Sequence, residues 1–115
     1  MAESIIQGKS FQFALNVIAL YKRLIAQKEF VLSKQLLRSG TSIGANVEEA
    51  TAAQSRRDFL SKMSIASKEA RETKYWLRLI QESDLVTVNL NSEITQIDEI
   101  IRILTAIVKT TKTTS

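Results

Sequence analysis

Apolar residues recur along this chain in alternating steps of three and four, and the places where the alternation lapses divide it into four segments. The first runs from about residue 4 to 27, with Phe13, Val17, Leu20, Tyr21 and Leu24 at helical spacing. A break at "KEF" leads to the second, residues 31–53, where Leu32, Leu36, Gly40, Ile43, Val47 and Ala50 repeat as the seam of a left-handed helix pair does. The third, residues 56–82, opens at Ser55, whose hydroxyl is placed to accept the Asp58 amide in a capping box. Its stripe is Phe59, Met63, Ala66, Ala70, Thr73, Leu77 and Ile80. The fourth, residues 89–110, carries Leu90, Ile94, Ile97, Ile101, Leu104 and Val108, and the tail "KTTKTTS" reads as frayed.

Short connections force successive helices to lie antiparallel, so the pattern predicts an all-α, up-down-up-down antiparallel four-helix bundle. Residues 1–115 read as a single domain of this kind. Long helices paired in a coiled coil without a bundle are the competing arrangement, and three separate turn signals argue against it. The composition agrees: no proline, three glycines and 44% apolar residues suit long helices and starve turns and sheet edges. A chain of 115 residues needs one core.

The stretch "RSGTSIGANVEEA" sets two glycines inside the second helix. A phosphate-binding loop would need a preceding strand and a Gly-Lys-Ser/Thr ending, which are not here. On a helical wheel Gly40 falls on the core seam and Gly44 about 40° beside it, sharing a strip with Ser33 and Thr51. A glycine inside a helix costs about 1 kcal/mol relative to alanine, so the pair predicts a neighbouring helix too close for a Cβ.

The absence of Cys and His removes disulfides, thiolate nucleophiles, imidazole bases and the zinc sites built on them. Glu48, Glu49, Glu69 and Glu72 are the carboxylates that an oxygen-liking ion would need, and exposed bundle glutamates are far commoner than metal sites. Nothing sets an acid beside a base, so the sequence implies no catalytic residue, no metal and no cofactor. The start "MAESIIQGKSFQ" does not read as a secretory signal, and "IIRILTAIV" is far short of the roughly 20 apolar residues of a membrane span. A cytoplasmic protein is the expectation.

A net charge of +4 is a mild excess, so its distribution matters more than its size. The third helix separates into its core stripe, a basic stripe of Arg71, Lys74 and Arg78 with Arg56, Arg57 and Lys68 at its margins, and a second apolar patch of Ile65, Tyr75, Trp76 and Leu79. The basic stripe suits phosphates, with Tyr75 or Trp76 to stack on a base, and it is equally a solvated face interrupted by Glu69 and Glu72. The apolar patch suits a subunit contact, unless Ile65 and Trp76 merely widen the core. On the second helix Arg38, Ser42, Asn46 and Glu49 form a small polar strip away from the seam, either an interface or a solvated face.

From Leu32 to Leu77 the chain resembles the bacterial four-helix-bundle proteins encoded in intervening sequences of 23S rRNA genes, a family that includes relatives of the accessory variability determinant of diversity-generating retroelements. The residues that carry the resemblance are Gln35, Leu36, Arg38, Ser42, Ile43, Asn46 and Glu49, then Ser55 and Phe59, then Ile65, Ala66 and Glu72. Gly44, Ala50 and the pair Lys68 and Glu69 stand where the family often has Pro, Gly and Gly-Ser. The resemblance implies a ring-like homopentamer with no known enzymatic activity. For the retroelement branch it implies a basic surface that binds nucleic acid, RNA or DNA, and a reverse transcriptase. The expected function is thus a non-catalytic oligomeric scaffold or adaptor, with an antitoxin-like or chaperone-like partner-binding module as the alternative.

Overall fold

A computed structural model of the chain describes residues 2–114, with side chains from Ile5 onward. Four helices make up almost all of it: α1 (Ala2–Ala26), α2 (Leu32–Thr51), α3 (Arg56–Ser83) and α4 (Asn91–Thr113). Each packs on two neighbours, α1 on α2, α2 on α3, α3 on α4 and, by the loosest contact, α4 back on α1. The result is an up-down-up-down four-helix bundle, a rod 47 Å long and 20 Å across. At 1.5 Å per residue the 28 residues of α3 run about 42 Å, nearly the whole rod.

The inward stripes meet in one core, with Phe13, Leu20, Leu36, Ile43, Met63, Leu77, Ile97 and Leu104 fully buried. Each large apolar side chain removed from water contributes about 1.5–3 kcal/mol against at most about 1 kcal/mol for a surface ion pair, so the core holds the bundle. On α4 the buried seam is Ile97, Ile100, Leu104 and Ile107, while Ile94, Ile101 and Val108 are half-buried. The apolar face of α4 is wide enough for either register, and the buried one is rotated from the expected stripe, with Ile107 toward α1 and Ile101 and Val108 toward α3. Ser39 and Thr73 face each other in the core, their hydroxyls 2.9 Å apart, and each also reaches a carbonyl of its own preceding turn.

The connections are tied locally. Helix α1 ends with Lys28 in the left-handed region (φ 67°), where the Glu29 amide donates to Leu24 O and the Lys28 amide to Ile25 O. Helix α2 lacks an Asn, Asp, Ser or Thr cap, and the Glu29 carboxylate substitutes for one by accepting the amides of Val31, Leu32 and Ser33 at 3.2, 3.1 and 2.6 Å. Burial would raise the Glu29 carboxyl, but the Ser33, Leu32 and Val31 amides together outweigh it and hold the group below the usual glutamate value. Helix α3 starts as expected, with the Asp58 amide donating to Ser55 Oγ. The α1–α2 and α3–α4 connections lie at the same end and are joined by a reciprocal pair, Gln27 Nε2 to Thr87 O and the Thr87 amide to Gln27 Oε1.

The tail expected to fray is instead helical to Thr113. Ile107 and Val108 pack on the core just before it, and Arg56 Nη1 reaches across to Thr114 Oγ1 at 2.6 Å. Ser115 lies outside the described residues.

The two glycines of α2 face α1, and they differ. A Cβ on Gly40 would lie 2.9 Å from both methyls of Val17, whose branched side chain is stiff on a helix. The obstacle there is a side chain, not the backbone that the sequence suggests. A Cβ on Gly44 would meet the Ser10 carbonyl oxygen at 3.4 Å, an ordinary contact.

Gly44→Ala is therefore expected to be neutral or to stabilise by up to about 1 kcal/mol through helix propensity, and Gly44→Leu to destabilise by about 1–3 kcal/mol against the α1 backbone. Gly40→Ala is expected to lower the thermal midpoint, and adding Val17→Ala to recover part of that particular loss. Denaturation of the four variants checks this, and an equal response of Gly40→Ala and Gly44→Ala contradicts it.

Glu29→Ala is expected to cost about 1 kcal/mol at neutral pH. Because its carboxyl titrates lower in the folded state than in the unfolded one, the stabilisation is complete above the ordinary glutamate value and is lost as the pH falls through the depressed one. Denaturant titrations of both proteins from neutral to acidic pH should show the difference shrinking. A difference independent of pH would mean that charge plays no part in the cap.

Candidate nucleic-acid interface

The 3.6-residue repeat sends one edge of α3 and one edge of α4 toward a shared furrow. From α3 come Ser67, Arg71, Lys74 and Arg78, and from α4 come Arg102, Thr105, Lys109 and Lys112. The furrow holds two shallow cavities that share Arg71. One, of about 410 Å³, is lined by Lys74, Tyr75, Arg78, Asp98, Ile101 and Arg102, and the other, of about 300 Å³, by Ser67, Thr105, Val108, Lys109 and Lys112.

The carboxylates that answer these cations are Asp98, 2.7 Å from Lys74 Nζ, and Glu82, 3.2 Å from Arg78 Nε. Leaving Lys112 aside, the five cations Arg71, Lys74, Arg78, Arg102 and Lys109 face those two carboxylates, a local surplus of three in a chain whose net charge is +4. Arg71 Nη2 is steadied by Thr105 Oγ1 at 3.3 Å. The floor is apolar, Ile101 and Val108, and Tyr75 stands exposed at the rim. Fixed cations along a groove with an exposed ring at its edge can take a phosphate chain on the cations and a base on the ring.

Of the basic residues that the sequence singles out, Arg71, Lys74 and Arg78 line the furrow. Arg56 is engaged with Thr114, and Arg57 and Lys68 line neither cavity. The α4 cations Arg102, Lys109 and Lys112 are the ones sequence reading passes over. Their signal is the three-four-three spacing of 102, 105, 109 and 112, which repeats on α4 the edge seen on α3.

The opposite edge of α3 is electrically closed. Arg38 on α2 bridges to Glu69 Oε2 at 3.0 Å and to Glu72 Oε2, and Lys62 Nζ pairs with Glu49 Oε1 at 2.8 Å. Trp76 Nε1 also donates to Glu72 at 3.0 Å, and this bond does most to hold the Glu72 carboxyl low; burial opposes it and Arg38 adds to it. Glu69 and Glu72 therefore turn toward α2 and away from the furrow, beside which Asp98 and Glu82 stand. Ser42 Oγ donates to Arg38 O and Asn46 Nδ2 to Ser42 O, so the polar strip of α2 spends its groups inside the protomer.

On α3, Ile65 and Tyr75 are exposed, Leu79 is half-buried, and Trp76 is half-buried against the core with its ring edge-on to Tyr75 at 5.1 Å. A further furrow of about 560 Å³ lies where α4 closes loosely on α1, with Ile5, Ile103, Ala106 and Ile107 inside and the Lys9–Glu99 pair, 3.0 Å apart, at its rim. Among the described residues no group of three or more carboxylates could hold a metal ion, and no helix is long and apolar enough to cross a membrane.

Residues 2–106 match the model of the 23S rRNA-intervening sequence proteins. The chain belongs to that family. A crystal structure of a protein of unknown function from the S23 ribosomal protein family of Bacteroides thetaiotaomicron is similar throughout, with 49% identity over 95% of this chain and 99% of that one and a TM-score of 0.90. No curated protein matches the chain. Membership in the 23S rRNA-intervening sequence family thus carries the bundle, and the chemistry of its surface has to speak for function.

Proposed function

We propose that this protein is a non-catalytic cytoplasmic scaffold, a ring of identical subunits, that binds nucleic acid along the α3–α4 furrow. The observation that carries the reading is the cationic surplus of that furrow beside the exposed Tyr75 ring. Phosphate contacts need no base-reading group, so a furrow of arginines and lysines suits a backbone of any sequence. The exposed Ile65 and half-buried Leu79 of α3 supply a reason for subunits to join, and the family resemblance supplies the number five. A ring multiplies the furrow, and several weak sites on one strand add up to tight binding. A nucleic-acid enzyme such as a reverse transcriptase is then a partner brought to the same strand.

The apolar furrow between α1 and α4 favours a second reading, a module that holds a partner helix and has no nucleic-acid role. Titration of labelled single-stranded RNA, single-stranded DNA and duplex at several salt concentrations separates the two. Affinity is expected to fall steeply with salt, and Arg71→Gln with Arg102→Gln and Lys109→Gln to flatten the slope by about one unit for each phosphate left unneutralised. The same substitutions at Lys22 and Lys34, away from the furrow, are expected to change the slope little. Binding that ignores the furrow variant defeats the proposal.

Light scattering coupled to size exclusion is expected to give five times the 12.9 kDa protomer mass. A monodisperse mass of 12.9 kDa at micromolar concentration would remove the ring.

A further inference from the structure

The two ends of the rod carry different kinds of connection. At one end α2 passes to α3 through Ala52, Ala53, Gln54 and Ser55, which are small or polar as connections commonly are. At the other end, where the α1–α2 and α3–α4 connections lie together, Phe30, Val31 and Leu85 stand out, 61%, 72% and 62% exposed. The outward setting is built in. Lys28 takes the left-handed turn that ends α1, Val31 and Leu32 give their amides to Glu29 Oε2, and Ser33 Oγ donates to Glu29 O, so Phe30 and Val31 sit on a pinned turn. In the other connection Val86, Val88 and Leu90 pack inward, and the alternation leaves Leu85, Thr87 and Asn89 outside. Gln27 and Thr87 bond to each other, close in the chain to Phe30 and Leu85, so the apolar groups of both connections share one tip.

Cations surround this tip. Lys28 is on the connection itself, and Lys34 lies in the first turn of α2, where side chains lean toward the helix start and hence toward the tip. Arg23 lies in the last turn of α1, with Lys22 beside it. All four are exposed, and none pairs with a carboxylate among the described residues. Of the carboxylates at this end, Glu29 accepts the three amides of its cap, Glu82 pairs with Arg78, and Glu93 buries one of its oxygens. Asp84 is left to answer the four cations.

We infer that this tip docks on an anionic lipid surface, with Phe30, Val31 and Leu85 entering the headgroup boundary and Lys28 and Lys34 meeting the headgroups. Apolar side chains that reach the acyl boundary and cations at the height of the anionic groups are what such a surface takes up. A peptide partner needs a groove or an open strand edge to take its register, whereas this end of a rod 20 Å across is convex and the furrows described above run along the sides. A fluid surface needs neither. A second copy set tip to tip would bring cations against cations, and a nucleic acid would leave Val31 and Leu85 without a partner. Docking by the tip keeps the α3–α4 furrow open, because that furrow lies on the side of the rod.

Co-sedimentation with vesicles of phosphatidylcholine, alone and mixed with phosphatidylglycerol, tests the inference on the full chain. Binding is expected with the anionic vesicles only, and it should weaken as salt is raised. Lys28→Gln with Lys34→Gln is expected to weaken it about fivefold for each cation removed. Phe30→Ser with Leu85→Ser is expected to weaken it at least about tenfold. These side chains are exposed, so both variants should keep the circular dichroism and thermal midpoint of the wild type. Arg71→Gln with Arg102→Gln and Lys109→Gln, in the furrow, should bind vesicles as the wild type does.

Because the chain has no cysteine, Val31→Cys carries a polarity-sensitive fluorophore at a single place. Its emission is expected to move to the blue with anionic vesicles, while the same label on Gln54→Cys at the far end stays unchanged. Absence of binding to anionic vesicles, equal shifts at both labels, or binding lost with the furrow variant and kept by the tip variants overturns the inference. A blue shift of the Val31→Cys label with polyglutamate or RNA and none with vesicles also overturns it, and makes the tip a seat for a protein or a nucleic acid.

Discussion

Val17 occupies the space that a side chain at residue 40 would need. That packing fixes how near α1 comes to α2, and much else follows from the nearness. Because Gly40, Gly44 and Ser33 keep one edge of α2 thin, the largest side chains of α1 reach the core without spreading the bundle. Ser39 does the same on the edge of α2 that faces α3. A bundle drawn tight around α2 leaves its slack on the opposite side, where α4 meets α1 loosely and the apolar furrow opens. Tight packing on one side and room on the other are two results of one placement of glycine.

Charge is divided as sharply as volume. Across the α2–α3 edge Glu69 and Glu72 are taken up by Arg38, and across the α3–α4 edge Arg71, Lys74 and Arg78 face Arg102, Lys109 and Lys112 with Asp98 between them. Like charges set side by side weaken a bundle, and burial of Ile101 and Val108 beneath them offsets the cost. A polyanion laid in the furrow would relieve that repulsion. Binding and stability are coupled there, because a ligand that favours the folded form raises its stability.

The bundle itself was legible because its signals are local and redundant. Periodic apolar residues on α2 and α3, the Ser55 cap and the two helical glycines each point to the same arrangement without reference to distant residues. Legibility fell where a reading needed two helices at once. The basic stripe of α3 was visible, but its partners Arg102, Lys109 and Lys112 become partners only when α4 is laid beside it. Arg38 looked outward on a wheel of α2 alone, and its engagement with Glu69 and Glu72 depends on the neighbouring helix. The exposed apolar side of α1, Phe11, Leu15 and Ile18, was hidden for a different reason: apolar residues on both sides of a helix blur the amphipathic contrast that sequence reading relies on. The Glu29 cap escaped as well, since the carboxylate stands two residues before Val31 and not at the customary cap position.

The facing hydroxyls of Ser39 and Thr73 bear on a matter apart from adhesion. Smooth apolar seams allow one helix to slide along another by a turn, about 5.4 Å, with little change in the oil they bury. A slide of α3 along α2 would part these two hydroxyls and leave each with only the carbonyl of its own helix, a loss of one hydrogen bond worth about 0.5–1.5 kcal/mol. The pair therefore marks one register on a seam whose apolar contacts are nearly interchangeable from one turn to the next.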